Sequence, residues 1–282
     1  MNNNTLILDK LQIGYTHNRQ KTPVVGVIDA TLHKGELVAL IGCNGAGKST
    51  LLRTLSAFQE PLSGNITYPD GKSHRHKASE LATQLSVVLT GNSGIHSLTV
   101  HEVVAMGRIP YTGLTGHERR RDKEAVDAAV RAVGIEHLVE RRIETLSDGE
   151  RQKVLLAKAL AQQTPVILLD EPTAFLDFHA KVSTLRLLLR LAHETNKTIL
   201  LSTHDVEMAI QLSDALWIVQ NGEIKAGTTL SLTESGTLKH FLQIDPMADA
   251  QKGNQGIIFD TENLTLKINN VVLPETQNKL GN

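Results

Sequence analysis

The chain has 282 residues, 40 % of them hydrophobic, and 29 basic against 30 acidic side chains, which suits an ordinary core but not a broad nucleic-acid-binding surface. Its one cysteine, Cys43, excludes an internal disulfide and a cysteine-rich zinc site. No apolar run is long enough to cross a bilayer, and Met1-Asn2-Asn3-Asn4 lacks the basic and apolar parts of a signal peptide, so we expect a cytosolic chain.

The first third of the chain is predicted to be rich in β-strands. Turn residues separate the apolar runs, and the predicted strands are 5–13, 24–32, 36–41, 64–68 and 85–89. Helical periodicity follows over 99–107, 117–134 and 149–163. Strands at 166–170, 198–202 and 215–219 then alternate with helices at 179–194 and 206–212. This alternation predicts a parallel, buried sheet.

The pattern weakens beyond Gly227. A polar link over 248–256 precedes a predicted hairpin of 257–260 and 264–268. We therefore expect one domain over 1–227, with a helical subdomain inserted at about 91–163, and a C-terminal extension over 228–282 that contains a helix and this hairpin.

A glycine-rich turn carries the first chemical motif. Gly42-Cys43-Asn44-Gly45-Ala46-Gly47-Lys48-Ser49 lies between a predicted strand and the helical run 50–57. Such a turn points successive backbone N–H groups at phosphate oxygens, and the helix N-terminus adds partial positive charge. Lys48 would reach the β- and γ-phosphates, and the Ser49 hydroxyl would ligate Mg²⁺. The residues predicted to hold ATP or GTP are Gly42, Asn44, Gly45, Ala46, Gly47, Lys48, Ser49 and Thr50.

Two acids end a short apolar strand. Val166-Ile167-Leu168-Leu169 precedes Asp170 and Glu171. Asp170 is placed to hold Mg²⁺ through water opposite Ser49, and Glu171 is predicted to be the general base for the attacking water. The alternative is a helix cap or a surface acid pair, which explains four buried residues before the acids poorly.

The third motif opens a predicted helix. Leu146-Ser147-Asp148-Gly149-Glu150-Arg151-Gln152 resembles the LSGGQ-type signature of ABC ATPases, at the order and spacing of that family. Taken alone, it would be a capped helix start. As a helix N-terminus with a serine and a glycine, it is also a second phosphate-binding end.

The resemblance covers about residues 6–227 and implies an α/β fold of the P-loop NTPase class. That fold is an ABC cassette with a parallel-sheet core, an N-terminal antiparallel β subdomain and an inserted helical subdomain. It implies ATP and Mg²⁺ as cofactors and a head-to-tail dimer, in which Ser147, Gly149 and Glu150 close on the γ-phosphate held by a second copy.

Three further positions take their roles from the resemblance. Tyr15 would stack on adenine, Asp177 of Ala174-Phe175-Leu176-Asp177 would lie in the loop that crosses the dimer interface, and His204 would contact the γ-phosphate. Without the resemblance, a tyrosine or histidine at a strand end would be an ordinary core or rim residue.

One position departs from the family pattern. The family usually carries glutamine after the strand that corresponds to 85–89, whereas this chain has Thr90. Thr90 is expected to offer a hydroxyl to Mg²⁺ or to its water. Gln84 and Asn92 are the alternatives for this role.

The segment Leu98–Tyr111 resembles the helical subdomain of ATPases that serve bacterial uptake of iron-siderophore complexes, haem and cobalamin. Without the resemblance, its pattern predicts an ordinary helix ended by Gly107 and Pro110. The resemblance makes it the face that receives a separate membrane permease, with Arg108 expected at its surface. It also implies a substrate-binding protein and a location at the cytoplasmic face of the inner (plasma) membrane.

Two other function classes stay open at this point. One is a soluble ABC ATPase that acts on DNA or ribosomes, although the chain has one set of motifs and no long heptad insert. The other is a regulatory ATP-binding module without hydrolysis, although Lys48, Glu171 and His204 are all present.

Overall fold

The structure, a computed structural model, describes residues 4–18, 20–73, 76–89, 97–112, 119–242, 256–260 and 265–269. The chain divides into two compact units, Met1–Thr228 and Thr229–Asn282. Within the described ranges, no helix combines the length and the apolar character needed to cross a membrane.

The strands in chain order are β1 (Asn4–His17), β2 (Gln20–His33), β3 (Leu37–Gly42), β4 (Ser63–Thr67), β5 (Leu85–Val88), β6 (Val166–Leu169), β7 (Thr198–Ser202), β8 (Ala215–Gln220), β9 (Glu223–Thr228), β10 (Gly256–Asp260) and β11 (Thr265–Asn269). The α-helices are α1 (Lys48–Leu55), α2 (Ala78–Leu81), α3 (Val100–Ala105), α4 (Ile109–Thr112), α5 (Arg120–Val133), α6 (Asp148–Ala161), α7 (Phe178–Thr195), α8 (Val206–Leu212), α9 (Thr229–Glu234) and α10 (Thr237–Phe241). Short 3₁₀ helices lie at Met106–Arg108, Glu136–Leu138 and Ile143–Thr145.

The larger sheet of the first unit has six strands in the order β5-β6-β7-β3-β8-β9. Its first five strands are parallel, and β9 runs antiparallel to β8. Every residue of β3, β6 and β7 is buried, as expected for the centre of a parallel sheet covered on both faces. The predicted parallel core is confirmed, whereas β9, with its mostly exposed side chains, was not predicted from the sequence.

The smaller sheet is antiparallel, with the order β2-β1-β4. Its strands alternate buried apolar and exposed residues, and Leu6, Leu8, Leu11 and Ile13 of β1 belong to a core cluster shared with α1 and the larger sheet. The predicted antiparallel β subdomain is therefore confirmed. It packs beside the loop that joins β3 to α1, which brings β1 and β2 close to the predicted phosphate site.

The helical insertion contains α3, α5 and α6. Val126, Ala129, Val130 and Val133 of α5 are all buried, which is the face that the helical period marks. The second unit contains α9, α10 and an antiparallel pair of β10 and β11, in which Ile257 lies opposite Ile268.

The helix predicted over 99–107 is found as α3, which ends at Ala105, but Gly107 and Pro110 do not stop the helical backbone as expected. The chain continues from α3 through the 3₁₀ turn at 106–108 into α4, where Pro110 occupies the first turn and needs no N–H partner. Gly107 instead allows a close approach to α6, because an added Cβ would lie 2.3 Å from the Lys158 carbonyl oxygen. The glycine therefore serves packing between helices.

The expectation that Arg108 lies at the surface is also wrong, since only 5 % of it is exposed. Its Nε donates to Asp122 Oδ1 over 2.9 Å, and one terminal nitrogen donates to the Ala161 carbonyl over 2.7 Å. The guanidinium also lies 4.1 Å from the centre of the Tyr111 ring. Arg108 thus ties the segment 99–111 to α5 and to the end of α6.

Candidate functional site

The loop between β3 and α1 has the geometry of an anion site. Gly47 precedes α1 with φ 110°, offers no side-chain cap, and an added Cβ there would lie 2.8 Å from a methyl of Val24. The first turn of α1 contains no acidic residue. The N–H groups of this turn therefore have no capping side chain and face an anion favourably. Asn44 and Gly45 are exposed at the tip of the loop.

Lys48 is almost completely buried, with 6 % of its surface exposed. Its Nζ donates to the carbonyl oxygens of Gly42 over 2.7 Å and of Cys43 over 3.2 Å. Burial lowers the pKa of Lys48, and the neighbouring Glu171, Cys43 and Asp170 act in the opposite direction. The ammonium is thus held against the phosphate loop by backbone carbonyls.

The donor set for a metal ion lies where α1 begins and β6 ends. Ser49 Oγ donates to Asp170 Oδ1 over 3.3 Å, so a hydroxyl and a carboxylate oxygen converge. Mg²⁺ prefers such hard oxygen ligands and keeps several waters, so two protein oxygens with nucleotide phosphates fit it. The described residues contain no group of three His, Cys, Asp or Glu side chains suited to another metal.

Glu171 and His204 form the centre of the site. Glu171 Oε1 lies 2.5 Å from His204 Nε2, at the ends of the adjacent strands β6 and β7. Glu171 has φ 48°, a left-handed conformation that costs a non-glycine residue on the order of 1 kcal/mol. Both side chains are partly exposed, 31 % and 44 %, so water reaches the pair.

Ser202, the last residue of β7, is fully buried between the two acids. Its Oγ donates to Asp170 Oδ1 over 2.6 Å and accepts the Glu171 backbone N–H over 2.9 Å. Sequence reasoning assigned Ser202 no role. The available signal was a polar residue that ends an otherwise apolar strand beside His204.

A second missed contact supports the turn that carries His204. Lys181 Nζ lies 3.0 Å from Asp205 Oδ2, and Asp205 N donates to Thr203 Oγ1 over 3.0 Å. Lys181 is one helical turn after Asp177, and its backbone N–H donates to the Asp177 carbonyl over 2.9 Å. The start of α7 is therefore joined to the residue next to His204.

Tyr15 and Thr50 meet at the other side of the phosphate loop. The Tyr15 hydroxyl and Thr50 Oγ1 lie 3.1 Å apart, and Tyr15 is 53 % exposed. Thr50 itself is buried. The exposed ring of Tyr15 is thus held beside the start of α1, in a position where a nucleotide base could stack on it.

The signature motif begins α6. Ser147 Oγ accepts the Glu150 N–H over 3.3 Å, and Glu150 Oε2 accepts the Ser147 N–H over 2.8 Å, which forms a capping box. The Ser147 hydroxyl also donates to Glu150 Oε2, over 2.9 Å. The pKa of Glu150 is lowered because its carboxylate accepts from the Ser147 backbone N–H and from this hydroxyl. An added Cβ on Gly149 would lie 3.7 Å from Leu176 Cδ2, so the motif adjoins the loop that ends at Asp177.

Asp177 in turn caps α7, since its Oδ1 accepts the Ala180 N–H over 2.8 Å. The predicted residues therefore fall into two groups. Lys48, Ser49, Asp170, Glu171 and His204 converge, together with Tyr15 and Thr50. Ser147, Gly149, Glu150 and Asp177 form the second group, and among the described residues no hydrogen bond or ion pair joins it to the phosphate loop.

Thr90 and Asn92 lie outside the described residues, so the role expected of Thr90 at the metal stays a prediction.

Comparison with known proteins gives one family. Residues 25–174 match the family described as ABC transporter. The iron(3+)-hydroxamate import ATP-binding protein FhuC of Bacillus subtilis is 36 % identical over 244 residues, which are 86 % of this chain and 89 % of FhuC. The ferric enterobactin transport ATP-binding protein FepC of Escherichia coli is 37 % identical over 77 % of this chain and 79 % of its own length.

Solved structures agree in fold. CbiO1 of Clostridium perfringens, part of the ABC transporter complex cbiONQ, superposes with a TM-score of 0.72 and 25 % identity, over 89 % of this chain and all of that one (100 %). The ATP-binding cassette MJ0796, solved as a dimer with ADP and Pi, has a TM-score of 0.68 over 80 % of this chain and 99 % of its own, at 24 % identity.

Proposed function

Because the chain belongs to the ABC transporter family, as an ATP-binding subunit with ATPase activity, we propose that it powers bacterial uptake of a metal chelate or cobalamin-type substrate through a separate membrane permease. The observation that carries the ATPase site is the pair of Glu171 and His204 beside Asp170 and the phosphate loop. This arrangement supplies a base, a metal carboxylate and a phosphate cradle at one edge of the sheet.

We assign each residue of the first group a role. The Lys48 ammonium and the first amides of α1 bind the β- and γ-phosphates, and the Tyr15 ring stacks on adenine. Ser49 and Asp170 would hold Mg²⁺, which neutralises charge on the phosphates. Glu171 accepts a proton from the attacking water, and His204 orients Glu171 and the γ-phosphate.

The second group fits a composite site between two copies. Ser147 and Gly149 lie at the N-terminus of α6, a 14-residue helix, and within the described residues they make no bond to the phosphate loop of their own chain. We propose that this helix end binds the γ-phosphate held by a second copy, with Asp177 beside it. Mixing Ser147→Arg chains with Lys48→Ala chains should then restore part of the activity, since one of the two sites in a mixed dimer is intact.

The proposed permease-docking face is the segment 99–111. Within this segment Val100, Val103 and Val104 are buried, and Arg108 fixes the segment to α5 and α6. Ile109 remains 61 % exposed on this rigid support. Ile109→Glu should weaken binding to the permease while ATP hydrolysis by the isolated subunit continues, and Arg120→Glu, on an exposed part of α5, is the matched control.

The chelate class comes from the names of the relatives, which include importers of ferric hydroxamate, ferric enterobactin and cobalamin. The test is uptake of labelled ferric hydroxamate, ferric catecholate and cobalamin by cells that carry Glu171→Gln in the chromosomal gene. Loss of one of these activities identifies the substrate. Unchanged uptake of all three would overturn the proposed substrate class.

Partners and location follow from this role. We propose that the subunit binds permease subunits at the cytoplasmic face of the plasma membrane, while a substrate-binding protein delivers the chelate to the permease. Isolation of the tagged chain from detergent-extracted membranes should recover a multi-span protein. Recovery of ribosomes or DNA instead would favour the soluble ABC ATPase class.

A further inference from the structure

We propose that Ser202 is a positioning residue that orients Asp170 and Glu171 for Mg²⁺ binding and water activation. The inference rests on the ATPase roles proposed above for these two acids. It goes beyond them by naming the group that holds both in place, at a position to which sequence reasoning gave no function.

Strand pairing explains why a serine is needed here. The parallel pairing of β6 and β7 places Leu169, the last residue of β6, opposite Leu201, and β7 ends one residue later at Ser202. Asp170 N still finds a main-chain partner, the Val88 carbonyl of β5, over 2.8 Å. Glu171 N, where the backbone turns to φ 48°, donates instead to the Ser202 hydroxyl over 2.9 Å.

The direction of both bonds is fixed. A backbone N–H can only donate, so the Ser202 oxygen accepts from Glu171 and its single proton is left for Asp170 Oδ1, at 2.6 Å. Ser202 has no exposed surface, so water does not compete for either bond. One hydroxyl thus fixes a carboxylate oxygen of Asp170 and the backbone from which the Glu171 side chain reaches His204.

This bond matters most when a metal ion binds. Ser49 Oγ also donates to Asp170 Oδ1, over a longer 3.3 Å, and Ser49 is the residue expected to turn its oxygen to Mg²⁺. Ser202 is not a candidate ligand and keeps its bond to Asp170. It therefore preserves the orientation of the carboxylate after Ser49 has changed partner.

The experiment compares Ser202→Ala with Ser86→Ala. Ser86 is a matched control, because it is also a buried serine of the large sheet, 2 % exposed, and its hydroxyl has no hydrogen-bond partner among the described residues. The measurements are kcat, KM for ATP, the Mg²⁺ concentration at half-maximal rate, and the rise in Tm caused by ATP with Mg²⁺ or with EDTA. Ser202→Thr keeps a hydroxyl and tests for rescue.

We expect Ser202→Ala to lower kcat by about tenfold and to raise the Mg²⁺ requirement by about fivefold. KM for ATP should stay within about twofold, and the Tm rise with ATP and EDTA should be unchanged. The additional Tm rise caused by Mg²⁺ should shrink. Ser86→Ala should match the wild type in all four measurements, and Ser202→Thr should recover most of kcat.

Equal behaviour of Ser202→Ala and Ser86→Ala would overturn the inference, as would an equal loss of ATP binding with Mg²⁺ and with EDTA, which indicates a general structural role. If Ser202→Ala fails to fold, Ser202→Cys, with its weak S–H donor, allows the same comparison. Absence of ATPase activity in the wild type would contradict the proposed function instead, while the Mg²⁺-dependent Tm rise would still test Ser202.

Discussion

Lys48 and Arg108 are both buried cations, with 6 % and 5 % of their surfaces exposed, but their partners differ. Arg108 lies against the Asp122 carboxylate at 2.9 Å and donates further to the Ala161 carbonyl. Lys48 donates to two backbone carbonyls of the phosphate loop. A buried cation that is paired with a carboxylate at hydrogen-bond distance links parts of the fold. A buried cation that is held only by backbone carbonyls, beside N–H groups without a capping side chain, is suited to binding an anion.

The same contrast separates the two regions that contain these residues. At the strand ends, Glu171 has a left-handed backbone conformation, which costs local stability, and its side chain is partly exposed, as its proposed role toward water requires. In the helical subdomain, Arg108 and Asp122 are buried and form an ion pair with each other. We therefore expect substitutions at the strand ends to change catalysis and substitutions beneath the helical subdomain to change stability.

The largest expected effect is on turnover. Glu171→Gln keeps the size of the side chain but removes the carboxylate that we propose as the base, so kcat should fall by about a thousandfold or more, while ATP binding persists. ATP should then hold two copies together, which size-exclusion chromatography would detect as an ATP-dependent dimer. Thermal stability without nucleotide should stay near that of the wild type. Turnover at the native rate would show that Glu171 is not the base.

The next effect is on folding. Arg108→Glu places a second carboxylate beside buried Asp122, and the free energy of unfolding should fall by about 3–5 kcal/mol in urea titrations. The control is Arg120→Glu, because Arg120 is 93 % exposed in its pair with Glu124 and should cost less than about 1 kcal/mol. If Arg108→Glu were as stable as this control, the contrast between the two regions would fail.

Local motifs explain what the sequence could predict. The glycines of 42–47, the apolar strand before Asp170 and the capped start of α6 each depend on neighbouring residues, and each has its expected structure. The packing of Gly107 and Arg108 depends on contacts with α5 and α6, which for Arg108 lie 14 and 53 positions away in the sequence. Propensity rules for Gly and Pro therefore predicted a helix end where tertiary packing requires a close approach.

The site shows the same limit. Tyr15, Asp170 and His204 were predicted because they stand in motifs whose order is visible along the chain. Ser202 and Lys181 contact residues 32 and 24 positions away, and no local sequence pattern predicts such a pairing. Strand register brings the first pair together, and the packing of α7 beside β7 brings the second.

A smaller effect is expected at the turn that carries His204. Lys181→Met removes the charge opposite Asp205, at 3.0 Å, but keeps much of the side-chain volume. Since the pair is only partly buried, we expect kcat to fall by roughly threefold to tenfold with little change in KM for ATP. Lys225→Met, which removes the exposed pair with Glu223 on β9, is the control and should leave kcat unchanged. Equal kcat values for the two variants would show that Lys181 does not contribute to catalysis.

The smallest effect separates the two halves of Tyr15. Tyr15→Phe removes the hydroxyl that lies 3.1 Å from Thr50 Oγ1 but keeps the ring, and because Tyr15 is 53 % exposed, water can replace that bond. The Kd for ATP should therefore change by less than about twofold. Tyr15→Ala removes the ring as well, and the loss of stacking should weaken ATP binding by roughly fivefold or more. Isothermal titration of both variants with ATP decides the matter: equal Kd values for Tyr15→Ala and Tyr15→Phe would show that the ring does not contact the base.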